Sequence, residues 1–320
     1  MDLIYTNKDL EDKGVLKDYA FDLAYGSDEN DFELTIGGDM HCCEEGSMLY
    51  VEGTEYGGIV DGIRVITKDE EVIYKGRTFH GILASKIIEP DVGSDYLVLN
   101  GEANAIIATL LARIGLTDLF HVSGEDSGLT INLYSMQRYV DAYAGIKNML
   151  REVRGKLIFE FRKGKVLLTA KPLVDYSIDE QFDSDKVELE IERKANAVNH
   201  LICLGQGELA DRQVVHLYAD ENGNVSTTQT FFGLEEITAV YDYSNAESLA
   251  ELTVGGRKAL EEYYKNNVNA NFDAESFIYD IGDIVGAKDN TTGISCKKAI
   301  TKKIVTIKSG IENIEYKVGE

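Results

Sequence analysis

The C-terminal stretch 279–320 constrains the fold more than any other part of the chain. It opens on Gly282-Asp283-Ile284-Val285, which reads as a strand entering a barrel. Asp289-Asn290-Thr291-Thr292-Gly293 is turn chemistry, because Asn, Asp and Gly tolerate the positive φ that tight turns need. Residues 300–307 and 311–318 are strand-like runs around Lys308-Ser309-Gly310. A chain that ends on two paired strands completes a sheet begun elsewhere. A shorter pattern of the same kind lies near the start: GGIV at 57–60, a run at 63–67, a charged turn at 68–71 and VIYKG at 72–76. The parallel with GDIV and IEYKV in the last stretch suggests one β-unit used twice.

The first ninety residues read as β throughout. Leu3-Ile4-Tyr5 is a short strand, and AFDLA (20–24) and DFELTI (31–36) alternate apolar and polar residues, as half-buried strands do. Residues 48–51, 58–60, 63–67, 72–75 and 80–85 continue the series, and many short strands with Gly-rich turns suggest a barrel or sandwich. The character changes at Pro90. Ala103, Ile106, Ile107, Leu110, Leu111 and Ile114 fall on one face of a helix that Gly115 terminates. A second helix is expected at about 136–153, with Ser135 as N-cap and Gly155 past its end, followed by a hairpin of 156–161 and 166–170.

Strands return at 187–191, 200–204, 213–219, 225–231 and 238–243, with Asn222-Gly223 as a hairpin signal. A third helix is expected from Ser244, where Glu247 completes a capping box, with Gly255-Gly256 as its break.

Composition narrows the function. With 320 residues the chain buries substantial cores in two or three domains, and two prolines argue against long Pro-rich linkers. The formal net charge is -24, and residues 1–60 carry 15 Asp/Glu against 3 Lys/Arg. Such a face repels phosphate, which argues against non-specific nucleic-acid binding there. Residues 147–165 (7 basic, 2 acidic) and 295–320 (6 basic, 3 acidic) lean the other way. Cys42, Cys43, Cys203 and Cys296 do not form a disulfide framework, so reduced thiols are expected. The acidic N-terminus does not read as a signal peptide, and the longest apolar stretch, near 105–112, is far short of a membrane span.

Candidate chemistry is sparse. Gly205-Gln206-Gly207-Glu208-Leu209-Ala210 has the G-x-G-x-x-A form of a dinucleotide turn, but a strand begins a few residues later and leaves no room for the helix, so a β-loop is expected. Asp220, Asn222 and Asn224 have calcium-loop spacing, yet Val225 and Phe231 stand where Gly and Glu belong, and a hairpin turn is the better reading. His41-Cys42-Cys43 would need His80, Cys203 or Cys296 to converge on it before it held zinc. His121, His200 and His216 are read as structural histidines. No catalytic, cofactor-binding or metal-binding residue is assigned and no cofactor is expected.

A resemblance runs through nearly the whole chain. DLAYGSDENDFELTI (22–36), LYVEGTEYGGIVDGI (49–63), YKGRTFHGIL (74–83), DYLVLNGEANAIIATLLARIGL (95–116), AVNHLICLGQGELADRQVVHLYAD (197–220), AVYDYSNAESLAEL (239–252) and DIGDIVGAKDNTTGISCKKAITKKI (280–304) resemble baseplate or tail-tip hub proteins of tailed bacteriophages and prophages, especially those of Gram-positive bacteria. The resemblance implies a β-rich α+β fold, with two tail-tube-like β-barrels and an inserted α+β domain. It implies a division into a first barrel (1–95) completed by strands from 186–243, the α+β domain (96–185), and a helix plus second barrel (244–320). It further implies a homotrimeric ring in the virion tail that joins the tube to the distal tip. Its partners would be other copies and the tube, distal tail, tape measure, tip or fibre proteins. DNA would meet it only in transit, and no membrane is involved; the -24 balance, on its own, suggests an acidic lining that repels phosphate. A non-enzymatic role is expected. The alternatives are a cell-wall or capsule hydrolase of the tail tip and a carbohydrate-binding tail-tip module. Lys302 and Lys303, in the basic C-terminal stretch of a very acidic chain, are the candidate inter-subunit contacts.

Overall fold

The computed structural model describes residues 1–320 apart from 28, 39–40, 178–180, 184–188, 194–197, 222, 247, 266–267, 273–278, 294 and 320. The chain begins with seven strands, β1 (Leu3–Thr6), β2 (Asp12–Leu16), β3 (Ala20–Tyr25), β4 (Asp31–Gly37), β5 (Met48–Tyr50), β6 (Gly57–Ile66) and β7 (Glu71–Thr78). A mixed region follows: α1 (Phe79–Ala84), β8 (Ile87–Ile88), β9 (Leu97–Glu102), α2 (Ala103–Arg113), β10 (Phe120–Val122), β11 (Thr130–Met136), β12 (Val140–Asp141), α3 (Ala142–Glu152), β13 (Gly155–Arg162) and β14 (Lys165–Pro172). Then come β15 (Gln181–Asp183), β16 (Leu189–Arg193), β17 (His200–Leu204), β18 (Val214–Ala219), β19 (Val225–Ser226), β20 (Thr238–Asp242), α4 (Leu249–Lys265) and β21 (Val268–Phe272). The chain closes with β22 (Ile284–Lys288), β23 (Ser295–Lys308) and β24 (Ile311–Gly319).

Two compact units result. The first combines Met1–Phe182 with Phe272–Gly286 and Lys297–Gly319; the second holds Asp183–Asn271 and Ala287–Cys296. The main sheet has eleven strands in the order β15-β22-β23-β3-β4-β7-β6-β5-β1-β2, with β24 on β23. The last hairpin therefore does complete a sheet begun elsewhere: Lys303 pairs with Tyr25 and Lys308 with Ala20, antiparallel. The strands that join β1–β7 are β15 (Gln181–Asp183) and β22–β24 from 284–319, while 200–242 builds a sheet of its own, so the expected completion from 186–243 is not the pairing found. The two similar hairpins, β6–β7 and β23–β24, stand on either side of β3–β4 in this one sheet. The second stretch is thus not a separate barrel. A stretch of period-two residues specifies which face is buried and leaves open which distant strand it pairs with.

The sheet is rolled. β24 and β6 are five strand spacings apart along the ladder, about 24 Å if it were flat. Yet Tyr56, immediately before β6, donates its hydroxyl to Glu312 on β24. Met1 N, just before β1, donates to Gly310 O in the β23–β24 turn at 3.0 Å. The alternating apolar residues of β3 and β4 (Phe21, Leu23, Tyr25, Phe32, Leu34, Ile36) fill the inside together with Tyr74, Val305 and Ile307. Side chains meet across the roll, and β24 and β6 are not hydrogen-bonded neighbours.

The mixed region packs in the first unit. One core joins Met48 and Tyr50 of β5 to α1, α2, α3 and the β13–β14 hairpin. β10 runs parallel to β14, and β9 pairs with β11. Two expectations fail here. Residues 80–85, read as a strand, lie mostly in α1: Thr78 caps it by accepting from Gly81 N, and Phe79 through Leu83 are all buried, a pattern without alternation. The second helix starts six residues later than expected. Thr130–Met136 is strand, Tyr139 has φ +52°, and the N-cap is Asp141, which accepts from Ala144 N at 2.8 Å, not Ser135.

In the second unit, β19-β18-β17-β20 form a four-stranded sheet, with β17 and β20 parallel, and β16 pairs with β21. Leu201, Cys203 and Leu217 face Leu252 and Leu260 of α4 in one small core. α4 does not break at Gly255-Gly256. A Cβ at Gly256 would stand 2.3 Å from Cys203 Sγ and 3.0 Å from Leu217 Cδ1, so the missing side chain lets an unbroken helix lie on the sheet. Glu247 of the expected capping box, Asn222 of the hairpin turn, Asp28 of the turn before β4 and residues 187–188 of an expected strand lie outside the described residues.

Candidate functional site

Lys302 and Lys303 are neighbours on an extended strand, so they project to opposite faces. Lys302 turns outward and pairs with Glu29, itself largely exposed. Lys303 turns inward, is 2% exposed, and sets its Nζ 2.6 Å from Glu55 Oε1 and 5.7 Å from the centroid of the Tyr316 ring. Burial works against its ammonium, but Glu55, Tyr316 and Asp280 outweigh that and raise its pKa above the usual lysine value. Of the two candidate contacts, only Lys302 is on the surface of its own chain.

Around Glu55 lies a buried group of polar and aromatic side chains in the first unit. His80, 2% exposed, stacks on Tyr25 with centroids 4.2 Å apart and lies 3.8 Å from the Phe159 ring. Its Nε2 stands 3.7 Å from Glu55 Oε2, beyond hydrogen-bond reach. Burial first, then the nearby charges of Lys303 and Lys147, hold this imidazole well below its ordinary pKa, so it is neutral at pH 7. Lys147 donates to Gly26 O and lies 4.5 Å over the Tyr143 ring.

A second buried charge fastens the segment before β22. Lys156 on β13 donates to Asp283 at 2.8 Å and to Asp280 at 2.7 Å, and Asp283, fully buried, also accepts from Val174 N and Asp280 N. Burial disfavours the Lys156 ammonium, and the two carboxylates overcome this and raise its pKa. Nothing in the local sequence marked this triad, because Lys156 opens an otherwise ordinary strand. The acids that converge inside the first unit are thus held as partners of lysines and tyrosines. A free carboxylate pair of the kind glycoside hydrolysis needs is not found among Glu55, Glu312, Asp280 and Asp283.

The remaining motifs fall where ordinary folding puts them. Residues 205–208 form the turn after β17, and a short 3-10 helix, Leu209–Asp211, leads into β18, so the glycine motif opens no α-helix. Asp220 spends its carboxylate on Asn224 N and Nδ2 at 2.9 Å, closing the turn. Cys42 and Cys43 have their sulfurs 3.3 Å apart, and Cys42 N donates to Tyr74 Oη, which also lies 3.1 Å from His41 Nδ1. His80 is engaged in its stack and Cys203 lies beneath α4, so neither serves that cluster. Among the described residues there is no group of three or more His, Cys, Asp and Glu fit to hold a metal ion, and no helix long and apolar enough to cross a membrane. His121 is exposed. His200 and His216, read singly in the sequence, are brought together: His200 Nε2 lies 2.8 Å from His216 Nδ1.

No protein-family model and no curated protein sequence matches the chain. Solved structures do. A tail protein from Neisseria meningitidis MC58 matches with TM-score 0.56 at 13% identity, over 100% of this chain and 96% of that one. The 43 kDa tail protein of prophage MuSo2 from Shewanella oneidensis matches with TM-score 0.60 at 9% identity, over 100% and 98%. Prophage tail protein gp18 from Listeria monocytogenes EGD-e matches with TM-score 0.53 at 11% identity, over 99% and 94%. The chain therefore has the β-rich α+β fold of these tail proteins along its whole length.

Proposed function

We propose that the chain is a structural subunit of a bacteriophage or prophage tail, and that it forms the hub ring of the baseplate or tail tip. The observation that carries the reading is the match of the entire chain to nearly the entire length of three tail proteins, with 94–98% of each covered. In this reading three copies close into a ring that joins the tail tube to the distal tip and lets DNA pass. The rolled sheet supplies the tube-like surface, with β6–β7 and β23–β24 as its two similar halves. Closure of a ring from identical subunits requires heterologous contacts, one patch on each copy meeting a different patch on the next. A chain of net charge -24 with a basic C-terminal stretch has both kinds of surface, and Lys302 is the proposed inter-subunit contact. An acidic lumen keeps passing DNA from adhering, because phosphates are repelled at short range. Partners are other copies and the neighbouring tail proteins, and the role is structural, not catalytic.

Electron cryo-microscopy of tailed particles carrying the chain tests this. Density for three copies at the distal end of the tube is the expected result. Absence from the particle, or a position along the whole tube, overturns the hub assignment.

A further inference from the structure

The His200–His216 pair on β17 and β18 has the construction of a metal site. His200 Nδ1 lies 2.6 Å from Glu236 Oε1 and 3.1 Å from Thr238 Oγ1. The carboxylate accepts the Nδ1–H, and this leaves the lone pair of His200 on Nε2, aimed at His216 Nδ1 2.8 Å away. The arrangement is braced. His200 and Asn199 both donate their backbone N–H to Ile237 O, Asn199 Nδ2 donates to Glu235 O, and Ile237 N donates to Asn199 Oδ1. The segment bearing Glu236 is thereby clamped to the start of β17. Tyr218 stacks on the His200 ring with centroids 4.4 Å apart and fixes its plane. His200 is 8% exposed, whereas His216 is on the surface.

We propose that His200 Nε2 and His216 Nδ1 bind a divalent transition-metal ion of the zinc, nickel or copper class, with Glu236 orienting His200 from behind and water filling the remaining positions. A carboxylate on the far nitrogen of a ligating imidazole is the usual support of such a site. Two nitrogens each about 2.1 Å from an ion stand about 3 Å apart when cis, close to the 2.8 Å of the pair, but lone pairs that face each other have to turn off the N···N line to meet on the ion, so the exposed His216 ring swings aside on binding while His200 stays fixed. His216 would carry its proton on Nε2, so neutral imidazoles bind the ion without releasing a proton. With two protein ligands and no third among the described residues, the site exchanges its ion readily.

The experiment is titration of the full chain with NiCl2, followed by calorimetry and by the imidazole C–H resonances. One saturable site is expected, with both His200 and His216 signals broadened by the paramagnetic ion. His216→Ala, an exposed position whose fold is checked by circular dichroism, should weaken binding at least tenfold. Glu236→Gln should weaken it about 10- to 100-fold. Unchanged affinity in His216→Ala, broadening confined to other histidines, or the absence of saturable binding overturns the proposal and leaves a hydrogen-bonded pair without an ion.

Discussion

At the scale of single residues, the two lysines of β23 separate by direction. Lys303→Glu would place a second carboxylate beside Glu55 in a site 2% exposed. Loss of one partner of a buried pair costs about 3–5 kcal/mol, so this variant should show a markedly lower urea midpoint. Glu102 makes a pH prediction. Burial pushes its carboxyl up, but hydrogen bonds from the Ser127 hydroxyl and from the N–H groups of Asn104, Ala105 and Ser127 prevail and hold it at about 2, below its ordinary 4.5. A depressed folded pKa contributes stability that is full above the unfolded value and is lost as pH falls from about 4.5 toward about 2. Melting temperatures of the wild type and Glu102→Gln should therefore differ most at neutral pH and converge on acidification. A constant difference across that range would assign the effect to packing.

At the scale of elements, α4 shows how one missing side chain fixes a packing distance. Gly256→Ala gains about 1 kcal/mol of helix propensity. It also drives a methyl group into Cys203 Sγ, and overpacking of this kind costs about 1–3 kcal/mol. The clash should win, with net destabilisation in chemical denaturation; a more stable variant would show that α4 does not lie that close. The same helix marks what the sequence allowed to be read. A paired glycine is a break signal in local terms, and only contact with β17 and β18 reveals it as a landing surface. Helix α2 and strands β3, β4, β13, β14 and β17 were legible because their apolar periods are clean. α1 was not, since Phe79–Leu83 is buried on all sides and has no period to read. Lys303 was misread: both lysines were taken as outward contacts, although alternation along a strand sends neighbours to opposite faces. The Glu236–His200–His216 chain was not, because it joins three separate segments.

At the scale of the whole molecule, the contrast between the two lysines tests assembly. The Lys302–Glu29 pair lies at the surface, with Glu29 exposed and Lys302 half-buried, and surface pairs contribute about 0–1 kcal/mol. Lys302→Glu should leave the monomer's unfolding curve nearly unchanged and lower the sedimentation-measured fraction of assembled ring. Normal assembly of that variant would remove Lys302 from the contact and leave the ring proposal to other surfaces.

The pairing of β23 with β3 also has a consequence in time. Lys302 meets Glu29 across 273 residues of sequence. At about 5–20 residues per second, a ribosome delivers the later strand about 14 to 55 s after the earlier one. Throughout that interval the nascent chain displays β3 with one unpaired edge, a template for the wrong neighbour. A cell making many copies at once holds many such edges open together, so yield should depend on how quickly, and how far apart, the chains are made.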